Sequence, residues 1–416
     1  MFVLYVFAFS LPFYRFLSTY ALGIWILVFI LQLFHFKKPN LKPLLSFIII
    51  MWLFFLLHFI GITYSANTKE AWTDIILKIP FLIMPFLFLF SIDDIKKNLH
   101  RILLSFVAGN FVASLICIVA ACIRSLSFTN GTWVFDAELM NHNYSFWEML
   151  ANGGNNFMYE PLSIFIHTGY FSLYIVFSVL IIIDFLKKGV IGKTRNTKIL
   201  WGCLIVFFSI MIYLIFSRAG QIAYFTMLFS YMLYLIFHGG KKILKTAILF
   251  VITFLGIIIM SHNERMQNSY RDIKNLFSGE ITNNNDRLVI WSVSLDIIKN
   301  NFISGVGTGD TKDVLFENYR QNHMEEAVKE KLNVHNQYLE TSIQFGIIGF
   351  SLLFSLFIFT LWKAIKKQHI ILLLFMVING IFFFFETALN RQAGIFFFVF
   401  FLSLFMMSTK KKKKEI

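Results

Sequence analysis

The run Leu44–Thr63, LLSFIIIMWLFFLLHFIGIT, contains no Asp, Glu, Lys or Arg. A helix that crosses the hydrocarbon of a bilayer needs about 20 such residues, because backbone polar groups there can be satisfied only within the segment. Working outward, the same pattern recurs on both sides. Before it stand Phe2–Leu17 and Ala21–Phe36. After it come Trp72–Phe90, Ile102–Ile123, Ser163–Phe185, Ile199–Phe216, Gln221–Phe237, Thr246–Met260, Thr341–Leu361, His369–Phe385 and Gly394–Met407. The first and last runs are short, so ten to twelve crossings are expected. The predicted fold is all-α, a polytopic membrane helix bundle of about 12 spans. The first run starts at Met1 with no basic segment ahead of it and no small-residue cleavage site, and reads as a retained helix.

Composition supports the same class. The chain of 416 residues is 57% hydrophobic and only 14% charged, against roughly a quarter charged in soluble domains. Its mean hydropathy is +0.70. The 53 phenylalanines suit lipid-facing helices. The net charge of +14 invites a nucleic-acid reading, but the position of the basic residues argues against it. They cluster between apolar runs, as in cytoplasmic loops. With the N-terminus inside, the inner segments carry Lys37, Lys38 and Lys42; Lys96, Lys97 and Arg101; Lys187, Lys188, Lys193, Arg195 and Lys198; Lys241, Lys242 and Lys245; Lys363, Lys366 and Lys367; and Lys410 to Lys414. The short outer loops are poor in Lys and Arg. Both termini are therefore expected in the cytoplasm. Membrane lipids, not nucleic acid, are the expected surroundings. Cys117, Cys122 and Cys203 all lie inside apolar runs and imply neither a disulfide framework nor a metal site.

Three segments follow from this reading. Residues 1–260 hold membrane helices 1–9 with an outer loop near 124–161. Residues 261–340 form a helical periplasmic cap. Residues 341–416 hold helices 10–12 and a basic cytoplasmic tail. In the cap, Leu288, Trp291, Leu295 and Ile298 follow the 3-4-3 spacing of one apolar helical face, with Asp286 as a plausible cap residue. Asn301–Asp310 contains Gly305, Gly307 and Gly309 and must turn. It does not follow a strand, so it reads as a turn between helices and not as a phosphate loop. Lys312–Leu332 is charged and helix-prone.

The unusual polar residues fall at one depth. Arg218 follows a span in Ser217-Arg218-Ala219-Gly220. Arg287 opens the cap helix. His335 stands in His335-Asn336-Gln337-Tyr338-Leu339-Glu340, just before a span. Arg391 lies between two spans, and His167 at the outer end of another. Arginine presents a permanently charged planar fork suited to phosphate. Such donors in a partly desolvated cleft stabilise charge developing on a leaving group, and histidine is the usual general base near neutral pH. The set points to transfer from a lipid-linked phosphate or diphosphate donor. Each residue also has a plainer reading: arginines at helix ends bind headgroups or cap carbonyls, and a histidine at an interface can be merely polar. Glu386 reads as a carboxylate that holds Arg391. Asp310, Glu317, Glu325 and Glu326 are scattered and read as a solvated face, so no metal and no cofactor is expected and the arginines take the place of a cation.

At these residues the sequence resembles the O-antigen ligase family, whose shared region also covers O-antigen polymerases and some protein O-oligosaccharyltransferases. The matching pieces, in order, are Ser217-Arg218-Ala219-Gly220, Asp286-Arg287-Leu288-Val289-Ile290-Trp291, Gly305-Val306-Gly307-Thr308-Gly309, His335-Asn336-Gln337-Tyr338-Leu339 and Gly346-Ile347-Ile348-Gly349. The resemblance implies a GT-C type glycosyltransferase of the bacterial inner membrane whose donor is a glycan on undecaprenyl diphosphate. Arg218 and Arg287 would bind the diphosphate, and His335 would activate or orient the acceptor hydroxyl, with inversion and without metal. Asn336, Tyr338 and Trp291 join Arg391 and His167 as substrate-binding candidates. The acceptor would be lipid A–core for a ligase, the end of another repeat for a polymerase, or Ser/Thr for a protein glycosylase. A glycolipid or glycan acceptor is favoured. A polysaccharide transporter is the reading from another class. Transporters place ionisable groups near the midplane and often repeat internally. Here the notable charges sit at one face; Lys78, inside Trp72–Phe90, is the exception, and it reaches water only by snorkelling if that helix is offset.

Overall fold

The computed structural model describes residues 1–35, 44–139, 154–237 and 287–408, and besides them 240, 243 and 246. The chain is an all-α polytopic membrane protein. Its helices are α1 (Phe2–Ser10), α2 (Arg15–Leu31), α3 (Leu45–Ile62), α4 (Thr68–Leu89), α5 (Ile92–Arg124), α6 (Tyr159–Leu162), α7 (Thr168–Lys187), α8 (Arg195–Ile215), α9 (Arg218–Phe237), α10 (Arg287–Asn300), α11 (Thr311–Gln321), α12 (Glu325–Lys329), α13 (Gln337–Lys366), α14 (Ile370–Phe385) and α15 (Gln392–Ser408). A small hairpin, β1 (Leu126–Thr129) and β2 (Thr132–Phe135), follows α5. Among the described residues, 7 helices are long and apolar enough to cross a membrane: α3, α4, α5, α7, α8, α9 and α13; α2, α14 and α15 are shorter apolar helices. The expected run Thr246–Met260, apart from Thr246, and the expected cap residue Asp286 lie outside the described residues.

Several helices outrun the apolar stretches that announced them. α5 begins at Ile92, ten residues of polar chain before Ile102, with Asp93 and Asp94 in its first turn, where carboxylates suit the helix dipole. α13 begins at Gln337 because Asn336 caps it. The Asn336 Oδ1 accepts from the backbone N–H groups of Tyr338 at 2.9 Å and Leu339 at 3.1 Å.

The chain forms two compact units. The first comprises Met1–Trp25 and His100–Asn268, the second Ile26–Leu99 and Ser269–Ile416. In the first, α7 is buried almost along its whole length between α8 and α9. Gly220 of α9 lies so close to Ser172 of α7 that no side chain fits there, so the small residues of Ser217-Arg218-Ala219-Gly220 serve close helix contact.

In the second unit α3 packs on α4 and α13, α4 on α15, and α13 on α14. The stretch 287–334 forms a helical cap with its own core: Ile290, Val293 and Ile297 of α10, Leu315 and Tyr319 of α11, Met324, Ala327 of α12 and Val334, closed by Ile343 of α13. The buried side of α10 is thus Ile290–Val293–Ile297, and Leu295 of the expected stripe is exposed. The apolar residues of α10 form a wider arc than one stripe, and the tertiary partners choose which part of it is covered.

The glycine run is a turn between helices. Val306 and Gly307 donate to the carbonyls of Ile343 and Gln344 at 2.9 and 3.0 Å, and Ile347 donates back to Phe302 at 2.8 Å. These bonds mend a break in α13 at Gly346, which has φ 58° and ψ −148°. A Cβ on Gly346 would meet the backbone of Phe302 and Ile303, and one on Gly305 the backbone of Gln344. Two glycines are required because two backbones interlock here. The turn is also tied to the α3–α4 connection. Thr308 Oγ1 donates to the His58 carbonyl at 2.6 Å, and the Asp310 carboxylate accepts from Ala66 and Asn67 N–H at 2.8 and 2.7 Å.

Candidate functional site

His335 is held in an unusual backbone conformation, φ 48°. A non-glycine residue in the left-handed region costs of order 1 kcal/mol and persists only where its surroundings impose it. Two hydrogen bonds and a helix start do so. Asn333 Oδ1 accepts from the His335 N–H at 2.8 Å. The Trp291 indole N–H donates to the carbonyl of Val334 at 2.9 Å. Directly after His335, Asn336 starts α13. The histidine therefore sits on a short loop pinned from both ends, ahead of a long helix.

Its ring faces the far end of α14. His335 Nδ1 lies 3.3 Å from Glu386 Oε2. Arg287, the first residue of α10, reaches the same carboxylate, NH2 to Oε1 at 3.6 Å. Its NH1 donates to the Phe385 carbonyl at 3.2 Å. One arm of the guanidinium thus caps the C-terminus of α14, where carbonyls lack helical partners. The side chains of Glu386, His335 and Arg287 are 12%, 25% and 28% exposed. The carboxylate is nearly sealed, while the imidazole and guanidinium still open outward. Three separate stretches of chain meet at this cluster.

The expectation that Glu386 holds Arg391 is not met. Glu386 pairs with His335 and Arg287, and Arg391 is exposed at the end of the same connection. The reason lies in the connection's anchoring. Gln337 Oε1 accepts from Leu389 N–H at 2.7 Å, and Glu340 Oε1 accepts from Asn390 Nδ2 at 2.6 Å. Both anchors belong to the first turn of α13, so residues 386–390 are drawn to the base of the His335 loop. Glu386 is the residue that sequence reasoning placed in the wrong pair. It lies 51 positions from its imidazole partner, beyond the reach of any periodicity.

The remaining candidates take these places. Asn336 is the cap of α13. The Tyr338 hydroxyl donates to Gly380 O at 3.1 Å. Trp291 packs edge-on against Phe384, with centroids 5.1 Å apart, besides binding Val334. Trp291 and Asn336 thus fix the backbone on either side of His335, and Tyr338 ties α13 to α14. Arg218 and His167 belong to the first unit. Arg218 is half-buried at the start of α9, just after Phe216 with φ 56°. His167 caps α7, its Nδ1 accepting from Gly169 N–H at 3.2 Å.

A second ionic cluster lies deeper in the second unit. Asp74 Oδ1 is 2.6 Å from Lys78 Nζ, and Asp74 Oδ2 is 3.7 Å from His58 Nε2. Gln344 Nε2 donates to the Thr308 carbonyl at 3.2 Å. Lys78 does not snorkel to water; it is 1% exposed and neutralised by the acid one turn before it.

In comparison with known proteins, residues 203–354 match the family described as O-Antigen ligase. No curated protein matches the chain. The matched stretch takes in Arg218, Arg287, Trp291, His335, Asn336 and Tyr338. His167 precedes it, and Glu386 and Arg391 follow it.

Proposed function

We propose, from the match of residues 203–354 to the O-antigen ligase family, that this chain is a membrane enzyme of that family and moves a glycan from undecaprenyl diphosphate to an acceptor hydroxyl, most specifically to lipid A–core. The observation that carries this reading is the His335–Glu386 pair beside Arg287. With Nδ1–H donating to the carboxylate, the tautomer is fixed and Nε2 keeps its lone pair for the acceptor. The acceptor O–H gives its proton to Nε2 as its oxygen attacks the anomeric carbon. The bond from that carbon to the diphosphate breaks, and undecaprenyl diphosphate leaves with the electron pair. A single displacement of this kind inverts the anomeric centre. Arg287, with NH1 on the Phe385 carbonyl and NH2 towards Glu386, keeps a 28% exposed guanidinium whose charge stabilises the developing diphosphate. The resemblance implies a diphosphate-binding role for Arg218, and the predicted topology suggests a substrate-binding role for Arg391. The arginines supply the positive charge that a metal would otherwise bring. The Lys and Arg distribution supports a site on the periplasmic side of the inner membrane with both termini inside.

The test is replacement of His335 or Arg287 by Ala in the native host, followed by glycolipid analysis. Loss of a general base lowers the rate by roughly 10²–10⁴-fold. A ligase so weakened leaves bare lipid A–core while lipid-diphosphate-linked chains accumulate. A core bearing a single repeat would reassign the chain to repeat-unit polymerisation. Unchanged surface glycan would overturn both.

A further inference from the structure

The hairpin after α5 has no place in that chemistry, and its pattern is unusual for a loop. Residues Asn130-Gly131, with φ 53° and 83°, make the two-residue turn that hairpins favour. The register pairs Leu126 with Phe135 and Phe128 with Trp133. Directly opposed residues share a face, so Leu126, Phe128, Trp133 and Phe135 form one side. The other side carries Ser127, Thr129, Thr132 and Val134. One face is wholly apolar and mostly aromatic, the other mostly hydroxylated. All eight strand residues are exposed, Trp133 by 71% and Phe128 by 61%. Phe128 and Trp133 touch each other, with centroids 5.3 Å apart, and Phe135 reaches Phe157 at 6.2 Å.

A lone two-stranded hairpin is marginal in water, and a contiguous exposed apolar patch marks a surface with a partner. The position of the hairpin identifies that partner. It is fastened to the end of the spanning helix α5: Ser125 N–H donates to Ala121 O at 3.1 Å and its carbonyl accepts from Asp136 N–H at 2.7 Å. Asn156 Nδ2 donates to the Ser125 hydroxyl at 3.2 Å. Along α5 an exposed apolar stripe runs through Phe111, Leu115, Val119 and Ile123, one residue every four, on a helix that crosses the membrane. The stripe ends at Ile123, next to the base of the hairpin, whose own apolar face is likewise exposed. Tryptophan and other amphipathic rings settle at the boundary between headgroups and acyl chains. A glycan would need several hydrogen-bonding groups among the rings, and on this hairpin, the Trp133 indole N–H apart, the polar side chains lie on the opposite face.

We propose that the β1–β2 hairpin is a membrane-interface anchor that lays Leu126, Phe128, Trp133 and Phe135 into the bilayer surface and turns Ser127, Thr129 and Thr132 to water. The experiment uses the full chain in phosphatidylcholine nanodiscs, with and without bromine on the acyl chains. The emission of Trp133 is obtained as wild type minus Trp133→Phe, a substitution that keeps an aromatic ring. The expected component is blue-shifted, loses most of its intensity in brominated lipid and resists iodide. Trp133→Phe combined with Thr132→Trp moves the indole to the opposite face, where its emission should be red-shifted and quenched by iodide. A Trp133 component quenched by iodide but not by brominated lipid overturns the proposal. So does one shielded from both, which would assign the face to protein or glycan. Equal behaviour of positions 132 and 133 overturns the orientation. Trp133→Phe combined with Phe128→Trp gives an independent reading of the same face.

Discussion

Two clusters in the second unit have nearly the same ingredients. One joins His335, Glu386 and Arg287; the other joins His58, Asp74 and Lys78. Each is an imidazole and a cation on a shared carboxylate. They differ in what is left over. In the deep cluster the lysine sits one helical turn from its acid, both on α4, at 2.6 Å. The His58 Nδ1 is within 2.7 Å of the Phe54 carbonyl. His58 and Lys78 are 2% and 1% exposed, so little of the cluster meets a ligand. In the outer cluster the contacts are longer, three chain segments contribute, and the imidazole and guanidinium keep open sides. Residue types alone therefore do not mark a site; the exposure of the imidazole and guanidinium does.

The largest effect should separate the two by stability. Removing one partner of a buried ion pair costs about 3–5 kcal/mol, because the other charge is left stranded. Lys78→Ala is expected to lower the thermal unfolding midpoint of the detergent-solubilised protein sharply. The double change Lys78→Met with Asp74→Leu should recover most of it, since apolar replacements of similar size remove both charges. If Lys78→Ala unfolds like the wild type, the deep cluster is not a structural pair, and its contrast with the outer one fails.

The outer cluster should respond in rate. Glu386→Gln keeps the shape but removes the charge that fixes the His335 tautomer. A charge-assisted hydrogen bond is worth about 1.5–3 kcal/mol, so transfer from a lipid-linked donor in proteoliposomes should fall roughly 10–100-fold with the unfolding midpoint little changed. A fall in stability with full activity per folded molecule would move Glu386 into the same class as Asp74.

The smallest effect concerns the support of the loop. Trp291→Phe preserves the packing on Phe384 but loses the bond to Val334. One neutral hydrogen bond contributes about 1 kcal/mol. A drop of that size in unfolding free energy, with a modest loss of rate, would place Trp291 among the residues that position His335. A change in donor KM without loss of stability would instead return it to substrate binding.

The spans were legible in the sequence because the solvent imposes a local rule. A bilayer demands an unbroken apolar stretch, and Leu44–Thr63 satisfies it with no reference to the rest of the chain. The glycines of Gly305–Gly309 were likewise readable as a turn, since only backbone freedom was at stake. The second break, at Gly346 inside α13, was not readable. It exists only because the backbone near Phe302 comes against it and supplies the hydrogen bonds that the helix lost.

The candidate site was legible in its members and not in its pairing. Arg287 and His335 stand out as a cation and an imidazole next to apolar helical runs, in short motifs that the sequence shows directly. That Glu386 serves them, and not Arg391, depends on Gln337 and Glu340 drawing the α14–α15 connection inward. The same holds for Lys78, whose partner shares its helix but whose burial comes from the helices packed against α4. By itself the sequence determined the class of protein, the positions of its apolar helices and the residues worth suspecting, because those follow from composition along the chain. Tertiary structure alone decided which carboxylate meets which cation and which of the two clusters keeps an open side. Those depend on distance and burial between segments far apart in the chain, which no local pattern encodes.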